Sequence, residues 1–291
     1  MTLDAIKLNL SASINDYKRD KKIPLPNGVV QVRNLPYGKY GRWNLLDVYY
    51  PANADKPLPT IVNIHGGGYV YGSKEIYRRY CMHLVQSGFC VVNFNYRLAP
   101  MWKFPVPLLD THSVIRWICK NRKGFHIDPN NLIIVGDSAG AQLASQYAAI
   151  ATNPSYAKLF GISMPKVTIR ALGLNCGMYD LISCIGSTPS GLMKDYFGKD
   201  FNLDDPRLDV LNSITDAYPP AYITTACNDF LRDAAEPMYR HLRSKGLCAN
   251  WKCYGTPEQE DVAHVFHINI IHPEAVLCNK ESCNFFMKHV K

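Results

Sequence analysis

A chain of 291 residues, 47% hydrophobic and 19% charged, has the composition of a globular protein with a large core, which excludes disorder, collagen-like repeats and coiled coil as the dominant state. The formal charge of +8 is spread along the chain. Its one dense run, Lys18-Arg19-Asp20-Lys21-Lys22, is broken by an acid and reads as a solvated helix end, so no nucleic-acid partner is expected.

From the N-terminus, residues 1–25 stand outside the strand–helix alternation that follows. Short β-branched runs then fall at 29–33, 44–50, 60–64, 90–95, 132–136, 171–174, 221–226 and 250–254. Helical stretches follow at about 74–87, 105–122, 139–151, 234–245 and 273–288. Several later strands are apolar throughout, as expected of a parallel sheet covered on both faces. The alternation predicts one α/β domain over 1–291, with an eight-stranded, mostly parallel sheet between helices. The first two strands have no helix between them and should pair as an antiparallel hairpin at the sheet edge. Residues 179–216, rich in Gly, Ser, Pro and Asp, also break the alternation. With 1–25 they are expected to form a small helical cap over the strand ends.

No apolar run approaches the roughly 18 residues needed to cross a bilayer. The N-terminal stretch lacks the unbroken apolar segment of an export signal, so a cytoplasmic location is expected. Ten cysteines without C-x-x-C or zinc-finger spacing read as reduced thiols. No carboxylate and histidine cluster has metal-ligand spacing, and neither a metal nor another cofactor is expected.

The strongest signal is an apolar strand, then Gly136-Asp137-Ser138-Ala139-Gly140, then an Ala-rich helix. Such a strand-to-helix turn holds its central serine in a strained conformation with the hydroxyl exposed above the sheet. Ser138 is therefore the candidate nucleophile. A second signal, Ile64-His65-Gly66-Gly67-Gly68-Tyr69, follows the third strand. Glycine backbone N–H groups suit the oxygen that becomes negative in a tetrahedral intermediate. Gly67, Gly68 and Ala139 are the candidate oxyanion-hole donors. A phosphate cradle is the rival reading, but neither GxGxxG nor GK[ST] is present.

With HGGGYVYG (65–72), NYRLAP (95–100), FPVPLLD (104–110), GDSAG (136–140), NDFLRD (228–233) and AHVFH (263–267), the chain resembles the hormone-sensitive-lipase-like branch of the α/β-hydrolases. That resemblance implies an α/β-hydrolase fold and a serine carboxylesterase acting on short- to medium-chain acyl esters. Amidase or deacetylase activity and a non-catalytic binding role are the alternatives. It maps the orienting acid onto Asp229, with Asp233 as the alternative, and the general base onto His264, with His267 as the alternative. The chain order Ser, acid, His is the one this fold uses. His65 and Asp137 are expected to shape loops rather than transfer protons, and Tyr96-Arg97 to brace the loop beneath the site. Tyr69, Tyr71 and Tyr179 are candidates for the substrate cleft. The expected partner is a small ester, and since the family includes monomers and dimers, a homodimer is left open.

Overall fold

The computed structural model describes residues 1–187, 191–199 and 201–291. In chain order the elements are α1 (Leu3–Asp20), β1 (Val29–Pro36), β2 (Leu45–Pro51), β3 (Leu58–Ile64), α2 (Arg78–Val85), β4 (Cys90–Phe94), α3 (Val106–Asn121) and β5 (Ile127–Asp137). There follow α4 (Ala139–Thr152), α5 (Pro154–Leu159), β6 (Ile169–Asn175), α6 (Leu181–Ser187), α7 (Gly191–Phe197), β7 (Ala221–Ala226), α8 (Ala235–Ser244), β8 (Ala249–Tyr254) and α9 (Pro273–His289).

The strands form one sheet in the order β1-β2-β4-β3-β5-β6-β7-β8. β1 pairs antiparallel with β2 at the edge, β2 pairs antiparallel with β4, and every later pairing is parallel. The hairpin expected from the missing helix is therefore present, within the eight-stranded, mostly parallel α/β-hydrolase fold that the sequence suggested.

Two apolar layers explain why the inner strands are apolar at consecutive positions. Side chains alternate across a strand. Val62, Ile64, Val92, Phe94, Leu132 and Ile134 pack with Leu108 and Ile115 of α3 and Leu143 and Tyr147 of α4. Their neighbours Ile61, Val91, Ile133 and Val135 face the other way, toward Tyr80 and Leu84 of α2 and Phe286 of α9. Both faces are thus buried, and the parallel strands must end together. Their carboxyl ends form one rim, with Ile64 paired to Gly136 and Asp137 to Asn175.

Two boundaries differ from expectation by four residues or more. β5 starts five residues earlier than the apolar run, because Leu58 and Pro59 pair with Ile127 and Asp128 before an irregularity shifts the register. α2 starts at Arg78 rather than 74. Lys74 is instead drawn into the interior, where its Nζ meets Asp47 Oδ1 at 2.8 Å and both side chains are fully buried.

The segments outside the alternation meet each other. The Thr2 N–H and hydroxyl donate to Asp195 Oδ2 at 2.7 and 3.0 Å, and the Gly191 N–H donates to Asp4 Oδ2 at 2.8 Å. α1 is thereby tied to α7. Residues 188–190 and 200 of the expected cap lie outside the described residues. No described helix is long and apolar enough to cross a membrane.

Candidate active site

β5 delivers its chain to α4 through a turn with almost no room. A Cβ on Gly136 would lie 2.2 Å from the Gly140 carbonyl oxygen, and one on Gly140 would lie 2.0 Å from that of Ile64. Only glycine lets these backbones approach so closely. Between them Ser138 takes φ 52° and ψ −122°, a positive φ that a non-glycine residue rarely adopts. Its N–H donates to the Asn175 carbonyl at 2.9 Å, which anchors the turn to the end of β6.

The structure brings Ser138, His264 and Asp229 together. His264 Nε2 lies 3.0 Å from Ser138 Oγ, and Nδ1 lies 2.7 Å from Asp229 Oδ1. Asp229 also accepts the Leu231 N–H at 2.9 Å on Oδ1 and the Thr225 hydroxyl at 2.9 Å on Oδ2. Burial pushes this carboxyl up, but the hydrogen bond and charge of His264, helped by the Leu231 N–H, win and hold it below the ordinary carboxylate value. It is therefore ionised at neutral pH and accepts the imidazole Nδ1–H.

Sequence-distant loops meet here through Asn228. Its side-chain N–H2 donates to the carbonyls of Thr256, Pro257 and Gln259 at 3.2, 3.3 and 2.9 Å, and its backbone bridges to Ala263. The residue before the acid thus carries the residue before the base. Val265, with φ 62°, donates its N–H to Cys176 Sγ at 3.4 Å, which fixes the other side of His264. The Phe230 ring lies 4.1 Å from the imidazole, centre to centre. In the acidic loop, Asp261 turns to His272, with Oδ2 at 3.3 Å from Nε2.

The glycine loop sits opposite. Gly67 and Gly68 have φ of 112° and 57°, and Gly67 accepts the Val70 and Tyr71 N–H groups on its carbonyl. Ala139 opens α4, so its N–H has no intrahelical acceptor and carries the helix's positive end.

His65 and Asp137 brace this loop. The His65 ring stacks on Tyr96 at 4.1 Å, and the Tyr96 hydroxyl donates to the His65 carbonyl at 3.0 Å. Burial lowers the His65 pKa to about 4 against the opposing bond to the Gly66 carbonyl, so the ring is neutral. The Gly66 N–H donates to the Tyr77 hydroxyl at 3.1 Å, and that hydroxyl donates to Asp137 Oδ2 at 2.7 Å. Burial raises the Asp137 carboxyl to about 7 despite this bond. Tyr77 thus joins the glycine loop to the residue preceding Ser138.

The three candidate cleft tyrosines each bond within the protein. Tyr69 is buried, stacked on Tyr196 at 3.8 Å, with its hydroxyl donating to Gln142 Oε1 at 3.0 Å. Tyr179 is buried too, with its hydroxyl on the Leu174 carbonyl at 3.3 Å. Tyr71 is half-buried and donates to Asp16 Oδ2 of α1 at 2.8 Å. Each hydroxyl is spent on an internal acceptor. His267 is buried against Tyr80, and burial lowers it to about 3. Asp233 pairs with Arg232 on the surface.

Sequence reasoning missed Tyr77, Cys176 and Phe230. Only Phe230 had a visible signal, its position next to Asp229. Among the described residues, Cys176, Asp229 and His264 place potential metal-ligand atoms within 4.8 Å of one another. Both His264 nitrogens, however, are engaged by Ser138 and Asp229.

Comparison with known proteins agrees with this architecture. The chain is 25% identical over 226 residues to the esterase LipQ of Mycobacterium tuberculosis, covering 75% of this chain and 52% of LipQ. It is 28% identical over 217 residues to carboxylesterase NlhH of the same organism, covering 69% of this chain and 65% of NlhH. The chain thus spans between half and two thirds of these relatives. Among solved structures, esterase B of Lactobacillus rhamnosis superposes with a TM-score of 0.89 at 23% identity, over 99% of this chain and 96% of that one. An esterase of the bacterial hormone-sensitive lipase family superposes with a TM-score of 0.75 at 22% identity, over 96% and 90%. Residues 61–268, from β3 through the His264 segment, match the family model described as the alpha/beta hydrolase fold, so the chain belongs to the alpha/beta hydrolases.

Proposed function

We propose that the protein is a serine carboxylesterase that passes an acyl group first to Ser138 and then to water. One observation carries the reading: an unbroken chain of polar contacts runs from Ser138 Oγ through His264 to the buried Asp229 carboxylate. A serine hydroxyl is a weak nucleophile at neutral pH and needs such a base. As Oγ attacks the ester carbonyl, His264 Nε2 takes its proton, while Asp229 holds the tautomer and balances the imidazolium charge. The developing oxyanion is met by the N–H groups of Gly67, Gly68 and Ala139. His264 then protonates the departing alcohol oxygen, and the same imidazole takes a proton from water as it attacks the acyl-serine.

The cap assignment belongs to this reading. An added Cβ on Gly68 would lie 2.9 Å from Leu192 of α7 and 3.3 Å from Leu8 of α1, so both helices cover the glycine loop. The described residues of segments 1–25 and 179–216 act as the cap of a single domain in this reading, and the closeness of these leucines favours short- to medium-chain acyl groups. Esters rank ahead of amides because the relatives LipQ and NlhH carry esterase names.

The test is hydrolysis of p-nitrophenyl acetate through octanoate beside an anilide, together with fluorophosphonate labelling. The expected result is ester turnover with the label on Ser138, both lost in Ser138→Ala. An unlabelled serine, or a Ser138→Ala protein with near-normal turnover, would overturn the mechanism.

A further inference from the structure

α1 wears its polarity inside out. Its inner positions are Ala5, Leu8, Asn9, Asp16 and Arg19. Ala5 is fully buried, Asn9 Nδ2 donates to the Val70 carbonyl at 3.4 Å, Asp16 accepts from Tyr71, and Arg19 donates to the Ile76 carbonyl at 3.2 Å. The outward face instead carries Leu3, Ile6, Leu10, Ile14 and Tyr17, exposed by 64%, 39%, 62%, 53% and 69%. Spacings of three and four residues place these five on one stripe of the helix. From Leu3 to Tyr17 the stripe runs about 21 Å along the helix. A continuous apolar patch of that kind marks a docking surface.

Charge selects the occupant. Lys7, Lys18, Lys21 and Lys22 are exposed along and just beyond the stripe. The acids of the helix are engaged within the protein: Asp16 and Asp20 pair with Arg19, each at 2.7 Å, and the exposed Asp4 accepts the Gly191 N–H. An apolar stripe bordered by lysines, on a helix lying along the protein surface, has the form that sinks into the headgroup layer of an anionic bilayer. Self-association would bring these lysine-bearing faces together. We propose that the outward face of α1 docks the protein on anionic lipid surfaces.

The docking itself is independent of the esterase reading; its consequence for substrates rests on that reading. Leu8 on the inner face of α1 lies over the glycine loop, 3.3 Å from where a Cβ on Gly68 would stand. The lipid surface would therefore lie about one helix diameter, roughly 10 Å, from the oxyanion donors. Esters dissolved in or adsorbed on lipid then become the natural substrate class, ahead of freely soluble ones.

The experiment is co-sedimentation of the full chain with vesicles of phosphatidylcholine, with and without phosphatidylglycerol, at low and high salt. The variants are Leu10→Ser/Ile14→Ser and Lys7→Gln/Lys18→Gln, checked by thermal melting and by sedimentation without lipid. Binding is expected on the anionic vesicles, weakened at least about tenfold by the serine pair and several-fold by the glutamine pair or by salt. Should the serine pair fail to fold, the glutamine pair and the salt series decide. Absence of binding to anionic vesicles, or binding that both pairs leave unchanged, would overturn the proposal. So would a concentration-dependent dimer that the serine pair abolishes in a protein that ignores vesicles. Because vesicle binding is read without turnover, an inactive protein that still docks would sink only the esterase reading.

Discussion

Asp137 offers a quantitative check on the wall between the glycine loop and the serine turn. Its carboxyl is about 1% exposed, and burial raises it from 3.8 to about 7 although the Tyr77 hydroxyl donates to it. Between those two values the folded protein holds a proton that the unfolded chain has released. Stability from this group is therefore fully present below about 3.8 and is lost as pH rises through 7. Slightly more than three pH units at about 1.36 kcal/mol each makes the loss on the order of 4 kcal/mol. His65 and His267 act in the opposite sense. Their folded values lie near 4 and 3 against an ordinary 6.5, so their contributions are complete above 6.5 and fall away in acid. Asp137→Asn keeps an acceptor for Tyr77, removes one titration and leaves both histidines in place. Urea unfolding of both proteins from about pH 4 to about pH 8 isolates the carboxyl as a difference. The stability of the unaltered protein relative to the variant should fall by on the order of 4 kcal/mol across that range. A difference that stays flat with pH would refute the argument that burial dominates at Asp137.

Asp229→Asn should leave the fold intact, since Asn can still accept from Leu231, but lower turnover of p-nitrophenyl butyrate by about 10⁴ through loss of the tautomer-holding charge. A variant retaining a tenth of the activity would show that His264 is oriented by something else. Gly140→Ala should lower turnover by at least about a hundredfold, because its Cβ would meet the Ile64 carbonyl at 2.0 Å and displace Ser138. Steady-state kinetics beside a melting curve separates displacement from unfolding. Lys74→Met should cost about 3 kcal/mol in chemical unfolding by leaving the buried Asp47 short of its closest cation. Pairing it with Asp47→Leu should recover much of that loss, and a single variant as stable as the parent would contradict the account.

Local chemistry made much of the molecule legible in the amino-acid sequence. A strand such as residues 221–226 carries no charge and is rich in apolar and β-branched residues because it is buried at every position, and its bounds agree with the sequence reading. The serine turn was equally plain, since the approach of Gly136 to Gly140 and of Gly140 to Ile64 demands glycine within a few residues of Ser138. Asp229 and His264 needed the family resemblance as well, because carboxylates and histidines recur along the chain and spacing alone does not select them. Tertiary structure alone decided where polar atoms found partners. A tyrosine is an apolar ring with one hydroxyl, and whether it faces a cleft or the core depends on an acceptor distant in the chain: Gln142 for Tyr69, Leu174 for Tyr179, Asp137 for Tyr77. The same holds for α1. Its sequence shows apolar positions at helical spacing, as any core-facing helix would. Only the packing of Ala5, Asn9 and Arg19 against the body of the protein turned that stripe outward, because one face of a helix can be buried against a neighbour and the other is left to the solvent.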